Sequence, residues 1–402
     1  MERADVVIVG GGIVGLATAR AVVCSHPEQS VVVLEKETAV GAHQSGHNSG
    51  VIHAGVYYQP GSEKARLCGA GRRSMVEYCR EHGIDHEVGG KVVVAHDDAE
   101  RARLVELRRR CTANGVRTEM LGAGQLRELE PHVAGIEALH VLDTGIVDYG
   151  DVCRALAGEI ERAGASIRLG TAVASGSESA SAIVVETTAG AIAATRVVTC
   201  AGLHADEVAS AISGPAGAGD MRVIAFRGEY RELAPGRTHL VRGLVYPVPD
   251  PQFPFLGVHL TRGIHGDVHV GPNAVLAFAR EGYEWRRVDW RDMRQTFAFS
   301  GFRRFARRHW RFGIDEMTRS LSRRRFAASV RRLLPEIDRR DLVPAPSGVR
   351  AQAIGADGEL VDDFAIRTVG RAVHVLNAPS PAATASLEIG KSIARRLDLA
   401  DP

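Results

Sequence analysis

Gly10, Gly12 and Gly15 stand in G-x-G-x-x-G order, and Glu35 follows 20 residues beyond Gly15. Residues of these types at this spacing can hold a dinucleotide. Gly10 permits a tight turn, Gly12 lets the backbone reach a pyrophosphate, and Gly15 lets a helix pack against a strand. Ile13 and Val14 open that helix, whose positive end favours phosphate. Glu35 can accept hydrogen bonds from an adenosine ribose; an acid there argues against a 2′-phosphorylated cofactor, which calls for a cation. Ser45, Asn48, Ser49 and Gly50 lie in GAHQSGHNSGVIHAGVYYQPG, residues 41–61. They add hydroxyl, amide and backbone donors suited to phosphates or to a ring system. Ala201 and Gly202 form a second small-residue turn that can approach a cofactor again.

The elements that must position these groups lie around them. Val6–Val9 is an apolar, β-branched run of parallel-strand length, Ile13–Val23 an Ala-rich helix, and Val31–Leu34 a second strand that ends at Glu35. Further helices are expected at Lys64–His82, at Glu100–Asn114 behind a cap at Asp97 and Asp98, and at Asp151–Ala163, Ala205–Ile212 and Ala385–Leu397. Strands are expected at 88–95, Ile167–Leu169, Ala172–Ala174, Ile183–Thr187, Ala191–Ala194, Val197–Cys200, Gly348–Ala353, Phe364–Thr368 and Val373–Leu376. Residues 223–274 alternate short aromatic or aliphatic runs with Gly and Pro and read as antiparallel sheet. Residues 284–341 are dominated by Arg with interspersed Trp and Phe, with helices expected at 289–308 and 315–334. That segment reads either as a solvated helix face or as a basic amphipathic pair on an anionic membrane.

The fold expected is mixed α/β (α+β). A Rossmann-like dinucleotide-binding domain, discontinuous over 1–87, 145–215 and 342–402, carries an inserted antiparallel-sheet substrate domain from 88–144 and 216–341. The length of 402 residues allows two such interleaved units, each with its own core. A net charge of +2 gives no global attraction to nucleic acid, which is not expected as a partner. No apolar run approaches the roughly 20 residues of a spanning helix. The start, MERADVVIVG, leads straight into a core strand, so the expected location is cytoplasmic. Cys24, Cys68, Cys79, Cys111, Cys153 and Cys200 never form C-x-x-C and read as reduced, buried thiols rather than metal ligands.

NAD would need only one nucleotide unit. Repeated glycine turns, and a phosphate loop supported from both ends of the chain, suit a permanently held FAD. The motifs GGGIVGLATAR, SGHNSGVIHAGVYYQPGSEKARLC, FRGEY, LVYPVPDPQFPFLGVHLTRGIHGDVHVGPNAVLAFAREGY, GVRAQ, LVDDF and HVLNAPSPAATASLEIG together resemble the L-2-hydroxyglutarate dehydrogenase/oxidase family. That family lies in the D-amino-acid-oxidase-like group of FAD proteins, and the resemblance runs over nearly the whole chain. It implies oxidation of L-2-hydroxyglutarate to 2-oxoglutarate, with hydride passing from the α-carbon to flavin N5. The partners implied are a small 2-hydroxydicarboxylate and an electron acceptor (quinone, oxygen or a flavoprotein), with peripheral contact to the inner face of the membrane if the Arg-rich helices lie there.

Such chemistry asks for three groups. Arg350 of GVRAQ suits the carboxylate beside the reacting carbon, because a guanidinium binds a carboxylate through two parallel hydrogen bonds. His259 and His53 are both candidates for the base that takes the hydroxyl proton. For the distal carboxylate, Arg227, Arg262, Lys91 and Tyr57 all remain open, and Tyr230 and Tyr246 can donate hydrogen bonds or simply pack. The resemblance also places Lys36 beside the ribose, Val173 at the adenine, and Pro381, Ala382, Ala383 and Thr384 in a loop near the flavin pyrimidine. No metal is expected. The alternatives are an amine or amino-acid oxidase of the same fold and a flavin-binding module without turnover.

Overall fold

The Glu2–Val9 strand sits where its sequence requires, buried on both faces. Val6 and Ile8 point into one apolar cluster, and Val7 and Val9 into another. It runs parallel to Val31–Leu34 on one side and to Gly190–Thr199 on the other, with Val6 opposite Val31 and Val7 opposite Val197. The computed structural model describes residues 1–250 and 257–397. Ser166–Arg168 and Ala372–Asn377 extend the parallel core of this eight-stranded sheet, and Val173–Glu178, Ile183–Thr187 and Ala365–Val369 add antiparallel arms. Helices Ile13–Ser25, Glu63–Glu81, Tyr149–Arg162 and Ala382–Arg396 contribute Leu16, Met75, Leu156 and Ile389 to the cluster on one face.

The two strands expected at Ala191–Ala194 and Val197–Cys200 are one strand, Gly190–Thr199. Thr195 and Arg196, which look like a break, mark the point where its outer edge exchanges the Ile183–Thr187 arm for Ala372–Asn377. At the end of the central strand two turns meet back to back. Gly10 has φ +112°, and a Cβ on it would stand 2.4 Å from the Cys200 carbonyl oxygen; one on Gly15 would stand 2.0 Å from the Gly10 oxygen.

A second eight-stranded sheet runs in the order Leu342–Pro344, Arg231–Leu233, Val268–Gly271, His259–Arg262, Leu244–Pro247, Lys91–Ala95, Glu137–Val141, Thr118–Gly122. Its pleat separates two cores. Val92, Val94, Val245 and Leu260 face one, and Val93, Ala95, Leu244 and Tyr246 the other. The Arg222–Gly228 strand does not join it. It pairs with Gly348–Ile354 and Val275–Leu276 in a separate three-stranded sheet, so the region expected as one antiparallel sheet is divided between two. Leu342–Pro344 and Gly348–Ile354, expected with the nucleotide unit, therefore hydrogen-bond to strands from within 216–341. Residues 253–256, the start of the expected FPFLGVHLTRG segment, lie outside the described residues; the strand described there is His259–Arg262.

The Arg-rich segment forms three helices, Trp290–Ala298, Ser300–Leu321 and Arg323–Val330, rather than the two expected. Phe299 is extended and breaks the first expected helix. Ser322 caps the third helix, accepting a hydrogen bond from the Arg325 N–H, and so breaks the second. The final helix starts at Ala382, so Ala382, Ala383 and Thr384 form its first turn rather than a loop. Cys24 is exposed rather than buried. No helix among the described residues is long and apolar enough to cross a membrane.

The Gly15→Ala variant should lose about 1–3 kcal/mol of unfolding free energy, since neither backbone can withdraw without opening the turn. Denaturant titration reads this directly, and a midpoint unchanged from wild type would show that the two turns are not tightly apposed.

Candidate active site

The glycine turn supplies an anion cradle. Gly12 occupies the position before the Ile13–Ser25 helix and has no side chain with which to cap it. The Ile13 N–H donates to Ser45 Oγ at 3.0 Å, while the N–H groups of Val14 and Gly15 meet no acceptor among the described residues. Unfilled first-turn donors at a positive helix end suit a pyrophosphate. Glu35 is held at the edge of this cradle. Its carboxylate accepts from the Gly11 N–H at 2.7 Å and the Glu37 N–H at 2.9 Å, which fixes its orientation and leaves lone pairs for a ribose diol. The Thr171 N–H donates to the Glu35 carbonyl at 2.8 Å, which brings the Val173 segment to the same edge. Gly202 follows Cys200 into the second turn, and a Cβ on it would lie 3.1 Å from Gln44 Nε2. These residues fit a dinucleotide such as FAD.

The rest of the loop is divided between structure and exposed chemistry. Asn48 is occupied internally: its amide donates to the Gln44 and Ser45 carbonyls and its Oδ1 accepts from the Gly50 N–H. Gly50 in turn accepts from the Val147 N–H at 2.8 Å. The Ser49 hydroxyl is half-buried and has no partner among the described residues, so it remains available to a ligand. Lys36 Nζ bonds Glu37, His43 Nε2 at 2.9 Å and Glu281 at 2.6 Å. Glu37, His43 and Glu281 have metal-ligand geometry, but the Lys36 ammonium already takes the position a cation would occupy.

A second group of residues converges on one chamber. His259 is 6% exposed, and its ring stacks on Tyr246 of the neighbouring strand at 4.1 Å. Its Nδ1 lies 2.9 Å from the Gly257 carbonyl. A carbonyl only accepts, so Nδ1 carries the proton and Nε2 keeps a free lone pair. Burial pushes the His259 pKa down to about 3, against the pull of Gly257, and the positive charges of Arg350 and Lys91 push the same way. His53 enters from the loop after the Val51–Ile52 strand. Burial, and then Lys91, His259 and Arg350, push it down to about 3 as well. Both rings are therefore neutral at pH 7, and both feel the same two cations.

A hidden hydroxyl places His53. Thr384 Oγ1, fully buried, accepts from the His53 N–H at 3.0 Å, lies 2.9 Å from the Tyr149 hydroxyl and 3.3 Å from the Val51 carbonyl. Arg350 sits opposite Phe226 in the Gly348–Ile354 strand, is exposed, and meets no carboxylate among the described residues. The next residue, Ala351, donates its N–H to Gln44 Oε1 at 2.9 Å, which ties that strand to the glycine-rich loop. Lys91 is 2% exposed. Its ammonium lies 4.4 Å from the Tyr57 ring centre, 4.7 Å from that of Tyr246 and 3.4 Å from the Tyr57 hydroxyl. Burial pushes its pKa down to about 8, and burial raises those of Tyr57 and Tyr246.

Not every expected residue reaches this chamber. Arg262 lies an odd number of residues from His259 and so faces the other side of the strand, towards Leu260, Gly266 and Glu130. Arg227 is one step out of phase with Phe226 and Arg350; it is 1% exposed, 4.0 Å from the Trp285 ring and 3.5 Å from Glu229. Tyr230 is half-buried, edge-on to His269 at 6.0 Å, and close enough to Tyr246 to raise its pKa. Gln44 and Tyr149 escaped the sequence reading: Gln44 stands one residue before Ser45 in the glycine-rich loop, whereas no motif in the sequence singled out Tyr149.

A family model described as FAD dependent oxidoreductase matches residues 5–396. The chain is 44% identical over 390 residues to the L-2-hydroxyglutarate dehydrogenase of Indibacter alkaliphilus, covering 97% of each chain. It is 44% identical to that of Escherichia coli over 98% of this chain and 93% of the relative, and 42% identical to the human mitochondrial L-2-hydroxyglutarate dehydrogenase over 97% and 88%. The fold is shared with the FAD-bound L-alpha-glycerophosphate oxidase of Mycoplasma pneumoniae at a TM-score of 0.81, with 21% identity over 100% of this chain and 96% of that one. With its glycine turn, acid and enclosed histidines in place, the chain belongs to the L-2-hydroxyglutarate dehydrogenase family of FAD-dependent oxidoreductases.

Proposed function

We propose that the protein oxidises L-2-hydroxyglutarate to 2-oxoglutarate and passes the electrons to an external acceptor. The observation that carries this reading is a neutral histidine with its Nε2 lone pair free, in a chamber whose Arg350 guanidinium has no carboxylate of its own. Gly12, Val14, Gly15, Glu35 and Ser49 would hold FAD, which would supply the two-electron, hydride-accepting ring. Arg350 binds the carboxylate beside the reacting carbon. His259 takes the hydroxyl proton at Nε2, so that the C–O bond can become a carbonyl as the α-hydrogen leaves with its electron pair. His53 stands beside it from the loop wall and orients the hydroxyl. We place the boundary of the nucleotide-binding unit after Ile354, because the Gly348–Ile354 strand pairs within the substrate-side sheet.

Removing the base should cost far more than removing its neighbour. His259→Asn should lower kcat by about 100-fold or more in anaerobic flavin-reduction kinetics, and His53→Asn by less. The reverse order would transfer the role to His53.

The charges also set a pH dependence. A histidine with a depressed pKa stays deprotonated as the pH falls, so kcat/KM should hold its value from pH 7 to pH 5, with its acid limb near the value of about 3 rather than near 6.5. Bound dicarboxylate offsets Arg350 and Lys91 and raises the histidine pKa. The acid limb of kcat should therefore lie at higher pH than that of kcat/KM. A half-maximal kcat/KM near 6.5 would contradict the assignment.

The Arg-rich helices carry a second reading, of location. Trp290 is 78% exposed and Trp310 55%, with Phe297 and Ile314 also exposed among arginines. We propose peripheral contact with an anionic membrane surface. Co-sedimentation with anionic but not neutral liposomes at low salt is the expected result; full recovery in the supernatant with both would refute it.

A further inference from the structure

Four groups were open as receptors for a distal carboxylate, and the fold removes two of them. Arg262 faces the opposite side of its strand, beside Glu130, and Arg227 lies on the far side of the pleat from Arg350. Lys91 and Tyr57 remain. Lys91 is a buried ammonium with no carboxylate partner among the described residues. An uncompensated buried charge is costly, and two aromatic faces and one long hydroxyl contact offset that only in part. The site is held in place from several sides. The Lys91–Ala95 strand is central in its sheet, pairing with Leu244–Pro247 and Glu137–Val141. The Tyr57 loop is pinned by Asn114, whose Nδ2 donates to the carbonyls of Gly55 at 3.1 Å and Tyr58 at 3.0 Å. The Tyr246 ring links the ammonium to the base, with Lys91 Nζ 4.7 Å from its centre and the His259 ring stacked on it at 4.1 Å.

We infer that Lys91, with the Tyr57 hydroxyl beside it, is the subsite for the distal carboxylate and makes this a dicarboxylate enzyme rather than a general 2-hydroxy acid oxidiser. This rests on the oxidation proposed above. Lys91 supplies the charge, Tyr57 a second donor, and Arg350 holds the other end of the substrate. A monocarboxylate of the same length would leave the ammonium desolvated and unpaired, so discrimination comes from the cost of an unmet charge as well as from the bond gained.

The test separates the subsite from the reaction. FAD-loaded wild type, Lys91→Met and Lys91→Arg are titrated calorimetrically with 2-oxoglutarate and with 2-oxopentanoate, which has the same chain length without the distal carboxylate. Wild type should bind the diacid tighter by about 30-fold or more, the range expected for a charge-assisted hydrogen bond. In Lys91→Met that preference should collapse to within about threefold, and Lys91→Arg should restore part of it. Flavin content per protein reports whether each variant is folded; should Lys91→Met fail to hold flavin, the retained preference of Lys91→Arg and a weakened one in Tyr57→Phe serve instead. An unaltered preference in flavin-replete Lys91→Met, or no preference in wild type, overturns the subsite. Reduction of the wild-type flavin by L-2-hydroxyglutarate is followed in the same preparations. A collapsed preference without flavin reduction would uphold the subsite and discard the reaction.

Discussion

An ammonium kept out of water without an anion is the constraint on which the rest of the chamber depends. Lys91 has two tyrosine rings and a hydroxyl around it, and no carboxylate among the described residues. Such a group is tolerable only where the surrounding backbone cannot relax towards solvent. The Lys91–Ala95 strand meets that condition, because it is central in an eight-stranded sheet and its neighbours Val93 and Ala95 are fully buried. Burial keeps His53 and His259 neutral, and the charges of Lys91 and Arg350 push the same way. The chamber is thus net positive and complementary to a dianion, and the proposed base becomes a stronger one once that dianion offsets the two cations.

The proposed base and the proposed carboxylate-binding cation come from different layers. His259 rides on the large antiparallel sheet, Arg350 on a separate three-stranded sheet, and His53 on the loop that leaves the nucleotide-binding layer. Their convergence relies on a few polar ties between segments far apart in sequence. Thr384 joins the His53 loop to Tyr149 and to the final helix. Gln44 joins the glycine-rich loop to Ala351, one residue past Arg350. The first tie is one buried hydroxyl with three partners and the second a single half-buried hydrogen bond, and each fixes a chemically active neighbour rather than the core. The bulk of stability comes from the apolar clusters on either face of the two large sheets.

The nucleotide side works by the opposite logic. There the structure leaves donors unfilled: Val14 and Gly15 present N–H groups at a helix end, and Gly12 adds no side chain in front of them. Glu35 is oriented by two backbone donors before any ribose arrives. A cradle preorganised in this way orders little on binding, which favours tight retention of the cofactor.

What the sequence determined by itself was local. Glycine spacing, β-branched runs and caps are read within a few residues, so the Gly10–Gly15 turn, Glu35 and most helix limits were legible. The family-bearing motifs around His53, His259 and Arg350 are also contiguous, and the fold brings the three near enough for their charges to interact. Tertiary structure decided what depends on register. Arg262 and His259 are three residues apart, yet the pleat sends them to opposite faces; Arg227 differs from Phe226 by one position and loses the chamber for the same reason. Helix breaks at Phe299 and Ser322 were hidden because charge content does not reveal a cap without its partner. Lys91 was one candidate among four because burial and the absence of a counter-anion are properties of the fold, created only when strands distant in sequence lie side by side.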